Sequence, residues 1–405
     1  CYQPEELDKL VPDISLNNTT PLPEVSIEEE DIASIIYTSG TTGFSKGVVL
    51  THKNLVWDAR QCHTIQPVDE TYRFLSILPM AHTYENTLGL LLPLMFGAQV
   101  YYLDRVPTPK LLVPAMQKIR PTVVLSVPLI IEKIYKSQVL PKFTSSKLMS
   151  KLYQFAPARK LFNRLAGKKL METFGGELKF FGIGGSKLDG TVEQFLREAK
   201  FPYAIGYGLT ETAPMAAGSN PSQTFLQGVG PVMEGVQIKI NDPDKSGQGE
   251  IWIKGPNVMK GYYKRPELTA ETFTEDGWFK TGDLGSFDKK NRLAIRGRIK
   301  TMILGASGEN IYPEEIEDHL NNLPYVCESI VVEKEGKLTA LIYPDFEAIN
   351  ADNKNSDEAI AAIMEENRKQ INETLPAYSQ IAKVTIYNEE FEKTPKKSIK
   401  RFLYQ

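Results

Sequence analysis

Cysteine and histidine are scarce in this chain of 405 residues, three of the first and four of the second. Cys1, Cys62 and Cys327 lie too far apart to read as a disulfide framework or a metal-ligand pattern, and their small number suits a reducing compartment. His52, His63, His82 and His319 do not cluster, so no histidine-bound metal is suggested. An excess of one charge is also missing. The formal net charge is −3, which gives no global attraction to nucleic acid or to an anionic membrane. No apolar run is long enough to cross a bilayer. The most apolar stretch, "LGLLLPLMFGA" at 88–98, contains Pro93 and predicts a buried helix. The opening residues do not read as a signal peptide, and Cys1 stands where a methionine would, so the sequence reads as a processed chain or a fragment. These features place the chain in the cytoplasm, with a peripheral membrane contact left open and the oligomeric state undetermined.

What is present is an ordinary globular balance, 41% hydrophobic and 24% charged residues, at a length that calls for two or more domains. "ASIIYT", "RFLSILPM", "QVYYL", "TVVLSV", "KFFGIG" and "PYAIGY" are compact apolar runs suited to buried strands. Helical patterns lie between them: "THKNLVWDARQC" with Thr51 as N-cap, "TPKLLVPAMQKIR" and "DGTVEQFLREAK". This alternation predicts βαβ units and a largely parallel sheet in an α/β fold. Residues 141–176 are basic and helical in pattern, and read as an insertion between strands. Residues 228–300 carry short strands and glycines and predict a small β-subdomain. Beyond the turn "GRIK" the strands "SIVVEK", "LTALIYP" and "KVTIYN" alternate with helices at 313–322 and 357–374, a small α+β domain. The expected division is 1–298 for the large domain and 299–405 for the small one.

The segment "YTSGTTGFSKGVVLTH" supplies Thr38, Ser39, Gly40, Thr41, Thr42, Gly43 and Lys46 within a few residues. Hydroxyls and free backbone N–H groups at a glycine-rich loop, read here as joining a strand to a helix, can wrap polyphosphate oxygens. The spacing is not the Walker pattern, since Gly47 follows the lysine where a hydroxyl belongs. Five further segments follow in order: "LPMAHTYE" (78–85), "GIGGSKL" (182–188), "GYGLTET" (206–212), "TGDLG" (281–285) and "GRIKTMILGASGENI" (297–311).

Together these segments resemble the motifs of the adenylate-forming superfamily, which includes acyl-CoA synthetases, luciferases and peptide-synthetase adenylation domains. The resemblance spans residues 34 to 401. It implies that the first loop takes the β- and γ-phosphates of ATP, and that Gly184, Gly185 and Ser186 form the adenine-side turn. It further implies that Tyr207 and Gly208 face adenine, that Thr210 donates to the α-phosphate, and that Glu211 is the carboxylate ligand of Mg2+. Asp283 and Arg298 would meet the ribose, Lys300 would be the hinge of a mobile C-terminal lid, and His82 and Gly308 would belong to the acyl and CoA region. The chemistry asks for such a set. A carboxylate becomes a good electrophile once it is joined to AMP, and the enzyme must orient ATP and neutralise the charge that develops on pyrophosphate. Each residue also has a plain reading. Alone, Tyr207 reads as core, Asp283 as a turn residue and Glu211 as a surface carboxylate; His82 reads equally well as a structural histidine, and Lys46 need not reach a nucleotide.

The sequence departs from the family in three places. Ser45 replaces the proline that precedes the loop lysine. Near the C-terminus, "KTPKKSIKR" puts Ser398 where the family has the lysine that bridges carboxylate and α-phosphate, with Lys396, Lys397 and Lys400 around it. Lys397, with a one-residue slip, is the candidate. Finally, only about three dozen residues precede the phosphate loop, so the chain reads as lacking part of the large domain. "VPLIIEKIYK" (127–136), the basic insertion after it and the "KR" of "SIKR" resemble the long-chain acyl-CoA synthetase branch. The implied reaction uses ATP, Mg2+, a fatty acid and CoA, with no nucleic acid. The apolar runs Leu88–Leu94 and Val123–Ile131 would line the acyl tunnel, although core packing explains them equally well. A medium-chain or aryl acid ligase, a ligase that loads a carrier protein, and a nucleotide-binding pseudoenzyme remain as alternatives.

Overall fold

The computed structural model describes residues 25–39, 45–105, 107–144, 146–305, 309–393 and 399–404. Gly40, Thr41, Thr42, Gly43, Gly308, Lys396, Lys397 and Ser398 fall outside them. The first described elements are two antiparallel strands, β1 (Ile32–Ser39) and β2 (Ser45–Thr51), paired from Ile32↔Thr51 to Ser39↔Ser45. This corrects the expected strand–loop–helix arrangement: the phosphate-type loop joins two strands. Val48 and Leu50 are buried and Val49 nearly so, which makes 45–51 a strand before Thr51 caps the next helix. That helix, His52–Ile65, opens with a reciprocal cap. The Asn54 N–H donates to the Thr51 hydroxyl at 3.2 Å and the Thr51 N–H to the Asn54 side chain at 2.9 Å.

Strands β3 (Arg73–Ser76), β4 (Gln99–Tyr102), β5 (Val123–Ser126), β6 (Phe180–Ile183), β7 (Tyr203–Gly208) and β8 (Met215–Gly218) form one sheet in the order β4-β3-β5-β6-β7-β8. The first five run parallel and β8 returns antiparallel on β7. Short apolar strands buried on both faces need helices on those faces, and the chain supplies them as crossovers. The expected buried helix at 88–98 is a wide-turned segment, Glu85–Leu91, continued by Leu92–Met95; Leu88 and Leu92 are buried, whereas Leu94 and Met95 face outward. The basic insertion is helical, as Leu140–Thr144, Lys147–Gln154 and Ala156–Thr173 between β5 and β6.

The chain then builds an antiparallel sheet from β9 (Gln237–Asn241), β10 (Gly249–Lys254), β12 (Phe279–Phe287) and β13 (Leu293–Arg298). The short β11 (Gly261–Tyr262) leaves it and pairs back on β2. One continuous apolar core runs through all of this, from Val48 to Leu293. After β14 (Ile303–Leu304) and β15 (Asn310–Ile311), a smaller sheet of β16 (Val326–Lys334), β17 (Lys337–Pro344) and β18 (Lys383–Ile386) has its own core around Leu320, Ala340, Ile342 and Met364. The small domain touches the large one through polar groups. Lys187 pairs with Asp318 at 2.8 Å, Lys136 donates to the Asn321 carbonyl at 2.7 Å, and Asn322 donates to Asp189.

Candidate active site

The site is built around the turn that leaves β7. Gly208 is required there, because a Cβ on it would lie 1.7 Å from the Pro214 carbonyl oxygen. Thr210–Glu211–Thr212 makes one tight turn before β8. The Thr212 hydroxyl accepts the Leu209 N–H at 2.9 Å and lies 2.7 Å from the Pro214 carbonyl. Asn257, fully buried, donates to the carbonyls of Thr212 and Met215, and buried Asp58 accepts the Met215 N–H at 3.2 Å. Burial drives the Asp58 carboxyl well above the usual carboxylate range. These contacts fix the backbone on both sides of Glu211, and the Met259 N–H caps the Glu211 carbonyl at 2.9 Å.

The Glu211 side chain is buried and meets two partners on one oxygen. The Tyr262 hydroxyl donates to Oε1 at 2.9 Å, and Lys46 Nζ stands 3.3 Å from the same atom. Lys46 also donates to the Tyr262 hydroxyl at 2.6 Å, with its ammonium 4.2 Å from the centre of the Tyr262 ring. Burial, together with the Glu211 charge, pushes the Tyr262 phenol far up, so it stays protonated and donates. Strand pairing explains the meeting: β11 lies beside β2 with Tyr262 opposite Val48, two residues from Lys46. Thr38, opposite Lys46 in the hairpin, has a buried hydroxyl oxygen with no hydrogen-bond partner among the described residues.

A second group lies on β12 and β13. Asp283 is buried directly opposite Arg298, whose Nε stands 3.1 Å from Oδ1, while the Tyr207 hydroxyl donates to Oδ2 at 2.9 Å. Burial raises the Asp283 carboxyl, and Arg298 and Tyr207 oppose the rise. Gly282, at φ +72°, takes a left-handed conformation that suits glycine and turns the strand just before Asp283. Ser39 ends β1, and Gly184 is buried behind β6 with its N–H on the Ser126 carbonyl at 3.1 Å. Gly185 and Ser186 are exposed at the tip of that turn. His82 is half-buried ahead of the Glu85 segment, and Lys300 is exposed in the turn Ile299–Thr301 that follows Arg298.

The structure thus brings Lys46, Tyr207, Thr210, Glu211, Asp283 and Arg298 to the junction of three sheets. The sequence reading missed Tyr262, Asn257 and Asp58. Tyr262 sits in "KGYYKR", where nothing local marks it; its partner Lys46 is 216 residues away. An apolar cavity of about 60 Å3 lies beside the turn, between the helix His52–Ile65, the Glu85 segment and the central sheet, with Phe74, Leu88, Leu92, Leu125 and Met215 in its wall.

Among the described residues no group of three or more His, Cys, Asp or Glu could hold a metal unaided. Glu211, a single buried carboxylate, fits Mg2+ of the kind that arrives on nucleotide phosphates, which with water supply its other ligands.

A buried carboxylate at the C-terminal end of a parallel sheet, a phosphate-type loop and a second small domain define a nucleotide-using α/β protein. Residues 2–263 match the AMP-binding enzyme family, and residues 300–404 match the C-terminal domain of AMP-binding enzymes. The chain belongs to that family. Among its relatives, the long-chain-fatty-acid–CoA ligase heimdall of Drosophila melanogaster is 32% identical over 347 residues, covering 79% of this chain and 50% of the relative. The long-chain-fatty-acid–CoA ligase FadD15 of Mycobacterium bovis is 31% identical over 363 residues, 84% of this chain and 58% of the relative. The chain therefore spans about half the length of these relatives. Two solved structures share the fold: ATP-bound MatB from Rhodopseudomonas palustris (24% identity, TM-score 0.76, 95% of this chain and 69% of that one). The other is the O-succinylbenzoate coenzyme A synthetase MenE from Bacillus subtilis with ATP and magnesium (23% identity, TM-score 0.73, 99% and 77%).

Proposed function

We propose that this chain is the catalytic part of a long-chain fatty acid–CoA ligase that forms acyl-AMP and pyrophosphate from a fatty acid and ATP, then acyl-CoA and AMP. The observation that carries the reading is the convergence of Lys46, Thr210, Glu211, Tyr207, Asp283 and Arg298 at one junction, in a chain that belongs to the AMP-binding enzyme family. Thr210, at the rigid turn, donates its hydroxyl to the α-phosphate. Glu211 would hold Mg2+, which would neutralise phosphate charge. Lys46 leaves Glu211 for the β- and γ-phosphates, joined by the loop that ends at Ser45. Asp283 accepts from the ribose hydroxyls on the lone pairs that Tyr207 and Arg298 leave open, and the Tyr207 ring borders adenine. Lys397 supplies the cation at the α-phosphate during the first step. The domains divide after Arg298, and the small domain turns about Lys300 between the two half-reactions, bringing Gly308 toward CoA.

The long-chain substrate is supported by the names of the relatives and by the apolar cavity between the Glu85 segment and the central sheet. The cavity is small as it stands, so a long tail requires its wall to yield. Met215 is the flexible part of that wall: its methyl end occupies the space that Cβ atoms on Gly206 and Gly218 would fill. A second reading, transfer to a carrier protein, is favoured by one relative. The long-chain-fatty-acid–[acyl-carrier-protein] ligase AEE15 of Arabidopsis thaliana is 29% identical over 441 residues, covering 93% of this chain and 59% of the relative. The test is AMP release by the full-length protein across short, medium, long-chain and aryl acids, with free CoA or carrier protein as acceptor. The proposal requires turnover with long-chain acids and free CoA, and a loss of at least ~10²-fold in Glu211→Gln, the size of one preorganised electrostatic contact. Turnover with carrier protein alone would move the assignment to the second reading, and none with any acid would refute both.

A further inference from the structure

The insertion between β5 and β6 departs from the charge of the rest of the chain. Residues 141–173 hold eight Lys or Arg and one acidic residue, Glu172, in a chain whose net charge is −3. Its two longer helices, Lys147–Gln154 and Ala156–Thr173, meet at Phe155 and pack through their inner faces, where Phe143 stacks on Tyr153 at 4.9 Å and on Phe162 at 5.6 Å. Their outer faces are unusual. Leu148 is 69% exposed, Phe155 63%, Leu165 61%, Leu161 57% and Leu152 40%. Leu148 and Leu152 are one helical turn apart, as are Leu161 and Leu165, so each helix shows a short apolar ridge to solvent. Beside the second ridge runs a row of cations at the same spacing, Lys160, Arg164 and Lys168, all exposed. Arg159 is the exception; it is half-buried and tied to Glu198 at 2.9 Å. None of Lys151, Lys160, Arg164, Lys168 and Lys169 has an ion-pair partner among the described residues.

A merely solvated basic face has no need for five exposed large apolar side chains, and a buried protein contact is poorly served by an unpaired row of cations. A second copy of the chain would set like charges against each other. Shallow apolar insertion next to phosphate-seeking lysines is what the surface of an anionic bilayer accommodates: the leucines and phenylalanine enter the headgroup boundary, and the long stems let the ammonium groups reach lipid phosphates. We propose that the outer face of these two helices docks the protein on anionic phospholipid membranes. Among the described residues no helix is long and apolar enough to cross a membrane, so the contact is peripheral.

The test is co-sedimentation of the full chain with vesicles of phosphatidylcholine alone and of phosphatidylcholine with roughly a third phosphatidylglycerol, at low and high salt. Partition onto the anionic vesicles, weakened by salt, is expected. Lys160→Glu, Arg164→Glu and Lys168→Glu combined should reduce it by about a hundredfold or more, since each basic residue near such a surface contributes about 1 kcal/mol. Leu161→Ser with Leu165→Ser should reduce it about tenfold or more, through lost apolar insertion. Glutamine at the same three cationic positions, with unchanged circular dichroism, gives the same direction without charge reversal. No partition of the wild type, equal partition onto neutral vesicles, or indifference to both sets of substitutions overturns the proposal. A larger species in solution that the same substitutions dissolve would also overturn it, by assigning the face to a second copy. Binding is read without ATP, acid or CoA, so its failure is separate from a failure of the ligase reading.

Discussion

Lys46 and Glu211 form an ion pair at 3.3 Å, bridged by the Tyr262 hydroxyl, although Lys46 lies on β2 and Glu211 in the turn between β7 and β8 of another sheet. The carboxylate read as a metal ligand therefore has a lysine ammonium at its side, and Lys46 lies at the edge of the loop read as the phosphate cradle. A double-mutant cycle with Lys46→Met and Glu211→Gln checks the pair. Glu211 is buried and Lys46 partly exposed, so a coupling of about 1 kcal/mol is expected from denaturant unfolding. Additive effects would mean that the contact contributes nothing to stability. Mg·ATP should widen the difference between wild type and Lys46→Met, because a lysine that helps to hold the nucleotide phosphates makes the wild type bind more tightly, and tighter binding stabilises the folded state more.

The Tyr207–Asp283–Arg298 chain predicts a graded loss of nucleotide affinity. Tyr207→Phe removes one donor from a buried carboxylate and should cost about 1–3 kcal/mol of stability. ATP affinity by calorimetry should fall modestly in Tyr207→Phe and far more in Asp283→Ala, which removes the acceptor itself. Equal affinity in Asp283→Ala and wild type would detach this aspartate from the nucleotide.

Lys300 follows β13 in an exposed turn, while the small domain is held by Lys187–Asp318 and by Lys136 on the Asn321 carbonyl. Proline at 300 fixes φ near about −65° and restricts the turn. Pyrophosphate exchange should survive in Lys300→Pro, and thioester formation should drop sharply. A parallel loss of both half-reactions would make the residue structural.

Lys400 pairs with Glu392 at 2.9 Å, while Lys397 is the cation proposed for the first half-reaction. Acyl-AMP formation should collapse in Lys397→Ala, and thioester formation from supplied acyl-AMP should remain near normal. If Lys400→Ala shows that pattern instead, the register of "KTPKKSIKR" is the family's and the slip is wrong.

Glu85 predicts a pH dependence. It is buried, one carboxylate oxygen lacks a hydrogen-bond partner among the described residues, and desolvation raises its carboxyl to about 7. Such a group is protonated in the folded state and ionised in the unfolded state between about pH 4.5 and 7, so its contribution favours folding at low pH and is lost as pH rises through that window. Glu85→Gln should abolish this fall and leave the variant more stable than wild type at pH 8, by about 2–3 kcal/mol. Chemical denaturation at pH 5 and pH 8 measures it; a wild type that loses no stability over that range contradicts the assignment.

Much of the framework was legible in the chain. Alternating apolar runs and capped helical patterns gave the parallel sheet, because strand burial and helix capping are local properties: Val123–Ser126 and the Thr51–Asn54 cap are written in neighbouring residues. The motif residues Lys46, Glu211 and Asp283 were also visible, each carrying a charge or a loop chemistry that stands out in a short window. Tertiary structure alone decided what those residues touch. That the phosphate-type loop joins two strands follows from Val48–Leu50 being buried against the rest of the large core, and periodicity could not separate that strand from the start of a helix. Nothing near Tyr262 or Asn257 in sequence marks them, because a hydrogen bond across some two hundred residues leaves no local pattern. In sequence the stretch 141–176 read only as basic and helical; that Leu161 and Leu165 face solvent was decided by the packing of Phe143, Tyr153 and Phe162 on the opposite face.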